Sequence, residues 1–470
     1  MTDYSDNRYF ELFNKQKAHQ FTLGNTNYKE RIRKLKALKR AIEKTYRQDL
    51  RDAMFKDFKK PQTEVDLTEI YLVIKEIKYA CSNLKSWLKK QRVDTPLTLL
   101  GTSSYITYEP KGVCLIISPW NYPVTLTFGP LVSAIAAGNT VILKPSEMTP
   151  NTSAVMREIV ESIFWESEVA LIEGEVDVAQ DLLKLPFNHI FFTGSPAVGK
   201  IVMSAASKHL SSVTLELGGK SPTIIHESTN INAAIKNIVW GKFLNNGQTC
   251  IAPDYVMVHE SIKDEFINAF KAKALAYYSE NPKSSESFSR IVNKKHFDRL
   301  VASIENAKSF NATIELGGDY DENTNYIAPT LVSNVDEGAQ LLQDEIFGPV
   351  LPIKTYKSTE EVINYINSKE KPLALYIYAK NRKFINTIIK NTRAGSTCVN
   401  SNALQYSNHY LPFGGSNNSG IGKAHGFFGF QEFSNARSVL KRHTAGPLYL
   451  LFPPYNTLKE KIANLAVKWF

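Results

Sequence analysis

From residue 111 onward, short continuous apolar runs alternate with helical stretches, and this alternation restricts what the chain can fold into. Residues 113–117, 140–143, 170–172, 190–193 and 213–217 form the runs. Each is apolar on successive rather than alternate positions, the mark of strands buried on both faces of a parallel sheet. Between them, 124–137, 153–164 and 197–208 carry helical spacing. The expectation is a doubly wound α/β sheet, which binds ligands at the carboxyl ends of its strands. A second α/β region is expected from about Ser221, with helices over 231–243, 262–278, 359–366 and 382–391 and strands over 350–355 and 374–378. Residues 91–109 read as an extended hairpin arm.

Composition narrows the class. A chain of 470 residues, 43% hydrophobic, has room for about two or three domains, so disorder is excluded as a whole-chain reading. Cys81, Cys114, Cys250 and Cys398 form no C-x-x-C pair, which argues against a disulfide scaffold and against a thiolate metal site. No metal is expected. The net charge of +10 fits nucleic acid, a membrane surface or an anionic cofactor. Nine basic residues lie within 29–47, opposed by Glu30 and Glu43, while Ile32, Leu35, Leu38 and Ile42 recur at helical spacing. That pattern is a surface helix with a solvated charged face, and no nucleic-acid motif accompanies it. The opening MTDYSDNRYF lacks a basic-then-apolar leader pattern, and no apolar run approaches the roughly 18 residues of a spanning helix. A soluble, cytoplasmic protein is the expectation.

Several loops combine residues suited to chemistry. Phe192-Thr193-Gly194-Ser195-Pro196-Ala197-Val198-Gly199 joins a strand to a helix. Ser195 can cap that helix and Pro196 suits its first position. The same helix start can face a phosphate or ribose, or be an ordinary junction. Two prolines hold the loop Pro119-Trp120-Asn121-Tyr122-Pro123, offering the Asn121 amide as a donor. Lys144 and Glu147 end the adjacent strand and can reach ribose hydroxyls. Glu216 ends another apolar run, where burial would raise its pKa and suit a general base. It also lies 22 residues past Gly194 (216 − 194), near the spacing of a ribose-binding acid. Spacing alone leaves both roles open. Asn245-Asn246-Gly247-Gln248-Thr249-Cys250 is a polar turn, an odd setting for a structural cysteine, whereas Cys114 sits inside a strand. A cysteine acts as a nucleophile only where its thiolate is stabilised. Glu345-Ile346-Phe347-Gly348-Pro349 and Leu411-Pro412-Phe413-Gly414-Gly415 complete the set.

Together the strings PWNYP, KPSE, FTGSPAVGK, LELGGKSP, NNGQTC, EIFGP, CVN and LPFGGSNNSGIG, in this order, resemble the aldehyde dehydrogenase superfamily. A nucleophile near position 250, the Ala424-His425-Gly426 segment before an aromatic run and a long tail resemble its class 3-like branch. The resemblance implies Cys250 as nucleophile, Glu216 as general base and Asn121 as oxyanion donor. It implies Lys144 and Glu147 at the adenosine ribose, Glu345 at the nicotinamide ribose, and Thr193, Gly194, Ser195, Gly199 and Phe347 at the cofactor, NAD or NADP. Tyr122 and Phe413 would line the aldehyde side. The implied fold is a Rossmann-like cofactor domain (1–90 and 111–218), an α/β catalytic domain (219–405), an oligomerisation arm (91–110 and 431–443) and a tail (444–470). The implied activity is oxidation of an apolar aldehyde, fatty, aromatic or terpenoid, by a homodimer. Two positions depart from the branch. Ala424 stands where tyrosine is usual, and Asn435-Ala436 where histidine is frequent. Both are expected away from the chemistry.

Two other classes fit parts of the pattern: a cysteine hydrolase needing no nicotinamide cofactor, and a non-catalytic relative. In the tail, Leu458, Ile462, Leu465 and Trp469 fall on one helical face with lysines elsewhere. That face suits a membrane interface, the protein's own body or a second subunit.

Overall fold

The computed structural model describes residues 4–444 and 451–469. Residues 1–3 of the opening segment, 445–450 of the tail and Phe470 lie outside the described residues. An arm begins with β1 (Gln91–Val93) and β2 (Thr102–Pro110). The first sheet follows as β3 (Val113–Ile117), β4 (Thr140–Lys144), β5 (Val169–Leu171), β6 (His189–Gly194) and β7 (Ser212–Leu217). The second comprises β8 (Pro222–Ile225), β9 (Tyr255–His259), β10 (Thr313–Leu316), then, past the small hairpin β11 (Tyr320–Asp321) and β12 (Tyr326–Ile327), β13 (Thr330–Ser333), β14 (Val350–Tyr356), β15 (Ala374–Tyr378) and β16 (Ser396–Val399). β17 (Gly420–Ile421) then returns to the first sheet and β18 (Ser434–Arg442) to the arm.

The first sheet has the order β17-β7-β6-β3-β4-β5, parallel throughout except for the antiparallel edge strand β17. Its apolar runs are buried on both sides, as continuous hydrophobicity demands. Cys114, Ile116, Val141, Leu143 and Phe191 pack under the helices Tyr71–Trp87 and Pro123–Ala137. Val113, Leu115, Ile142, Ile190 and Phe192 face the opposite layer. The register sets Thr193 beside Glu216 at the carboxyl ends of β6 and β7. The second sheet runs β10-β13-β14-β9-β8-β15-β16, with only β10 antiparallel. Its β8, β9, β10 and β13 gave no sequence signal, nor did the helices Val176–Leu182 and Lys294–Ser309. These strands span four or five residues each, too few to stand out without strong turn signals.

The arm has three strands where the sequence suggested a hairpin. β2 is central, and β18 pairs along its full length from Ser434 opposite Pro110 to Arg442 opposite Thr102. The basic helix also differs from expectation. Its first part, Tyr28–Arg40, gives way to a wider turn at Ala41–Thr45 before Arg47–Phe58. Most of its charges are solvated, but Arg31 is buried. Its guanidinium donates to the carbonyls of Gly24 (2.7 Å) and Ala136 (2.9 Å), clamping the carboxyl end of helix Pro123–Ala137. The tail forms the helix Thr457–Trp469, none of whose described residues is buried. Among the described residues, no helix is long and apolar enough to cross a membrane.

Candidate active site

Three loops converge where β3, β6 and β7 end. In the Asn-Asn-Gly turn, Asn245, Asn246 and Gly247 are successively left-handed (φ 53°, 57° and 73°). Asparagine and glycine tolerate that backbone best. A side chain at Gly247 would also collide with the Gly348 carbonyl. The turn is fastened from within: Gln248 donates to the carbonyls of Asn245 and Arg290 (both 3.0 Å) and accepts from the Val292 amide (3.0 Å). The same turn grips the loop after β3. Asn245 donates to the Asn121 carbonyl (2.8 Å), and the Asn121 amide donates to the Gln248 carbonyl (3.0 Å). Tyr122 and Thr249 share a hydroxyl hydrogen bond of 2.7 Å. Asn121 and Cys250 are thus fixed to one another through backbone and side chain.

Cys250 is partly buried on the wall of a cavity of about 450 Å³. Burial, with Glu345 and Glu216 nearby, pushes its thiol up to about 12. Glu216 is buried at the end of β7, and neither carboxylate oxygen has a hydrogen-bond partner. Burial raises its pKa well above the carboxylate range, against the pull of Lys423. Glu345 is pushed up to about 8 by burial and by Asp254. Its loop is held where the Ile346 amide donates to Asp254 (2.8 Å) and Arg299 donates to the Ile346 carbonyl (2.7 Å). Phe347 packs edge-on to Trp120 with ring centres 5.4 Å apart.

The structure brings Asn121, Thr193, Gly194, Ser195, Glu216, Cys250, Glu345, Phe347 and Phe413 onto the wall of this cavity. The remaining candidates stand outside its lining. Tyr122 is buried behind Thr249. Lys144 and Glu147 form an ion pair of 3.1 Å past the end of β4. Gly199 meets the sheet: a Cβ there would lie 2.9 Å from a Leu217 methyl, so the glycine lets helix and sheet pack closely. Ser195 caps its helix, with its hydroxyl accepting from the Val198 amide (3.4 Å). A dinucleotide fits this half of the cavity. The Thr193 hydroxyl is buried without a partner, and a side chain at Gly218 would strike the Glu345 carboxylate. The helix start at Ser195–Pro196 opens onto the same space.

One expectation is corrected. Ala424 does not lie away from the chemistry. It lines the same cavity, and its backbone pairs with that of Phe413 in both directions (2.6 and 3.2 Å). Asn435 and Ala436 do lie apart, in β18 opposite Glu109 and Tyr108.

Two buried polar clusters had no signal in the sequence. Lys60 and Glu69, both fully buried, form an ion pair of 2.7 Å, and the Lys60 ammonium lies 4.0 Å from the Tyr122 ring centre. Glu69 also accepts from the Thr125 amide (2.9 Å), and the neighbouring Glu64 accepts from the Asn245 amide (3.0 Å). This cluster braces both the Asn121 and Cys250 loops from behind. Glu76 accepts from the Gly426 amide (2.7 Å) and faces His409 (2.9 Å) and His425 (3.4 Å). Burial alone would raise its carboxyl, but the two imidazoles hold it well below the carboxylate range.

A thiol, an unpaired buried carboxylate and an amide donor thus share one cavity at the strand ends of a doubly wound sheet, beside a helix start suited to a dinucleotide. This combination belongs to α/β enzymes. More narrowly, the chain belongs to the aldehyde dehydrogenase family, whose family model matches residues 7–439. The 4,4'-diaponeurosporen-aldehyde dehydrogenase of Staphylococcus aureus is 44% identical over 90% of this chain and 92% of its own. A dog aldehyde dehydrogenase, named as dimeric and NADP-preferring, is 41% identical over 88% of this chain and 90% of its own. A solved Staphylococcus aureus structure, described as the substrate-bound state of AldH, superposes with a TM-score of 0.94 at 41% identity, covering 98% of this chain and all of the other.

Proposed function

We propose that this enzyme oxidises an apolar aldehyde to its carboxylic acid through a covalent bond to Cys250, with NAD or NADP as cofactor. The observation that carries the reading is the shared cavity: Cys250, the unpaired Glu216 and the Asn121 amide line it together with Glu345 and the Ser195 helix start. The relative named for a diaponeurosporen aldehyde supports an apolar substrate. The enzyme is proposed to act as a homodimer, a reading supported by the dog relative named as dimeric. We assign residues 1–90 and 111–218 to cofactor binding, 219–405 to catalysis, 91–110 and 431–443 to an oligomerisation arm, and 444–470 to a tail.

In this mechanism the Cys250 thiol gives its proton to Glu216, which releases it to solvent, and the sulfur bonds to the aldehyde carbon as the carbonyl electron pair moves to oxygen. The developing oxyanion is met by the Asn121 amide and the Cys250 backbone N–H, donors set in place before the reaction. Asn121 reaches it by leaving or sharing the Gln248 carbonyl. Glu345, Phe347, Thr193 and Ser195 would hold the dinucleotide, and Lys144 and Glu147 would receive its adenosine ribose. The nicotinamide, when bound, supplies a two-electron acceptor for the hydride that leaves the aldehyde carbon. Cys250 then carries a thioester. Glu216 takes a proton from water, whose oxygen bonds to the acyl carbon as the carbon–sulfur bond breaks. The acid departs and the thiol is restored.

The test is a panel of aldehydes with each dinucleotide, read by reduced-cofactor absorbance, in wild type and Cys250→Ala. Turnover that is lost in Cys250→Ala while dinucleotide binding persists is the expected result. Retained turnover overturns the covalent mechanism, and Cys250-dependent cleavage of a chromogenic ester with no aldehyde oxidised by either dinucleotide favours a cysteine hydrolase.

A further inference from the structure

Three buried side chains that the proposed chemistry does not use meet at the wall of the Cys250 cavity. Glu76 comes from helix Tyr71–Trp87, His409 from the loop after the short turn Leu404–Ser407, and His425 from the residue before helix Gly426–Glu432. They are 333 and 16 residues apart in the chain (409 − 76, 425 − 409). Their side chains are only 6%, 7% and 13% exposed. One carboxylate oxygen and one nitrogen of each imidazole lie within 4.8 Å of one another.

The cluster has the dimensions of a metal site. Glu76 Oε2 stands 2.9 Å from His409 Nδ1 and 3.4 Å from His425 Nδ1. Ligands held about 2.0–2.2 Å from an ion stand roughly 2.8–3.6 Å from each other in octahedral or tetrahedral geometry. The arrangement is also fixed in advance. Glu76 Oε1 accepts from the Gly426 amide (2.7 Å), which leaves Oε2 to the rings. Tyr79 stacks on His409 with ring centres 5.5 Å apart, and Tyr406 meets His425 edge-on at 4.4 Å. His425 sits at φ 73°, a left-handed backbone that a residue with a side chain keeps only where its surroundings impose it.

Hydrogen bonds within the protein leave the cluster incomplete. Both nitrogens of His409 and Nε2 of His425 are buried with no hydrogen-bond partner, which buried polar groups ordinarily avoid. Two imidazoles and a carboxylate are the donors that suit zinc and related divalent transition metals, whereas magnesium and calcium call for oxygen ligands. No thiolate takes part, so the lack of a C-x-x-C pair has no bearing here. Glu76 and His425 also line the cavity, which leaves further coordination positions open to water.

We propose that Glu76, His409 and His425 bind a divalent transition-metal ion of the zinc type. The ion would fasten helix Tyr71–Trp87 to two segments of the cavity wall. His409 stands four residues before Phe413 (413 − 409), His425 follows Ala424, and Phe413 and Ala424 pair through their backbones. The site is separate from the chemistry at Cys250 and does not depend on it.

The test uses the full chain carrying Cys250→Ala, so that the Cys250 thiol takes no metal, stripped with chelator and dialysed against Zn2+. One ion per chain is expected, with a rise in Tm. Co2+ in its place should show visible d–d bands and no thiolate charge-transfer band. In the same background, Glu76→Gln, His409→Gln and His425→Asn should each weaken binding at least about tenfold, since losing even an outer partner costs a metal site that much, and should abolish the rise in Tm. Asparagine tolerates the left-handed backbone, so His425→Asn gives the answer if either other variant fails to fold, with dinucleotide binding as the check on folding. Failure of the parent to take up stoichiometric Zn2+ at micromolar concentration overturns the site. So does undiminished affinity in folded His425→Asn, which would place the ion elsewhere.

Discussion

At the scale of single residues, the three groups proposed for chemistry are set apart by what surrounds them. Glu216 is buried with no partner on either oxygen. Such a carboxylate keeps its proton to higher pH than an exposed one and is a strong base once it has lost it. Deacylation should therefore rise with pH well above the ordinary carboxylate range. Glu216→Gln should give a burst of reduced cofactor of about one per site and then slow turnover, with the acid limb of the steady-state profile gone. Loss of the burst together with weaker dinucleotide binding would make Glu216 a ribose ligand instead. Asn121 differs in having a partner already, the Gln248 carbonyl at 3.0 Å. Removing one oxyanion donor costs about 10²–10³-fold in kcat, and that loss is expected for Asn121→Ala. A loss of only a few-fold would leave Asn121 as the strut its hydrogen bonds already make it. That these residues share one cavity was foreshadowed by the unusual make-up of their loops: two prolines around an asparagine, or a cysteine in a polar turn. The corrected role of Ala424 was not legible. A small apolar residue announces nothing until the fold sets it across from Phe413.

At the scale of elements, the parallel strands of the first sheet were readable because burial on both faces leaves an unbroken apolar run. The second sheet was half readable, since strands as short as Pro222–Ile225 resemble any apolar loop. Least legible was the brace behind the Asn121 and Cys250 loops. Lys60, Glu64 and Glu69 look like the solvated face of a helix, yet Lys60 and Glu69 are buried and Glu64 half-buried against partners that include Tyr122 and Asn245, 62 and 181 residues away (122 − 60, 245 − 64). That burial has a measurable consequence. Glu64 is pushed up to about 7, burial outweighing Lys60 and the Asn245 amide. A folded-state pKa above the unfolded value means that folding favours the protonated form. Its stabilisation is full below the unfolded value of about 4.3 and is lost as pH rises through about 7. Glu64→Gln keeps an acceptor for the Asn245 amide but never ionises. Its Tm should equal that of wild type at or below about pH 4 and exceed it near pH 8.5. A difference independent of pH would mean that Glu64 is ionised at neither or both.

At the scale of the whole molecule, two features reach outward. The arm presents Leu97, Leu100 and Leu440 to solvent, and the tail helix presents Leu458, Leu465 and Trp469, none of them covered by this chain. The sequence had allowed the tail to pack on its own body, and the helix shows no buried residue that would do so. An apolar helical face left open in this way is stable when a second subunit or a lipid surface covers it. The open arm and the open helix belong to one chain, and an isologous dimer buries the same patches of both subunits at once. The expectation is a dimer in solution, with truncation after Pro454 shifting light-scattering mass towards monomer at low concentration and lowering Tm. Flotation with anionic vesicles supplies the opposing outcome. The lysines beside the apolar face, Lys459, Lys461 and Lys468, would meet such a surface, so flotation of the full chain with an undisturbed dimer in the truncation would assign the helix to lipid and leave dimerisation to the arm alone.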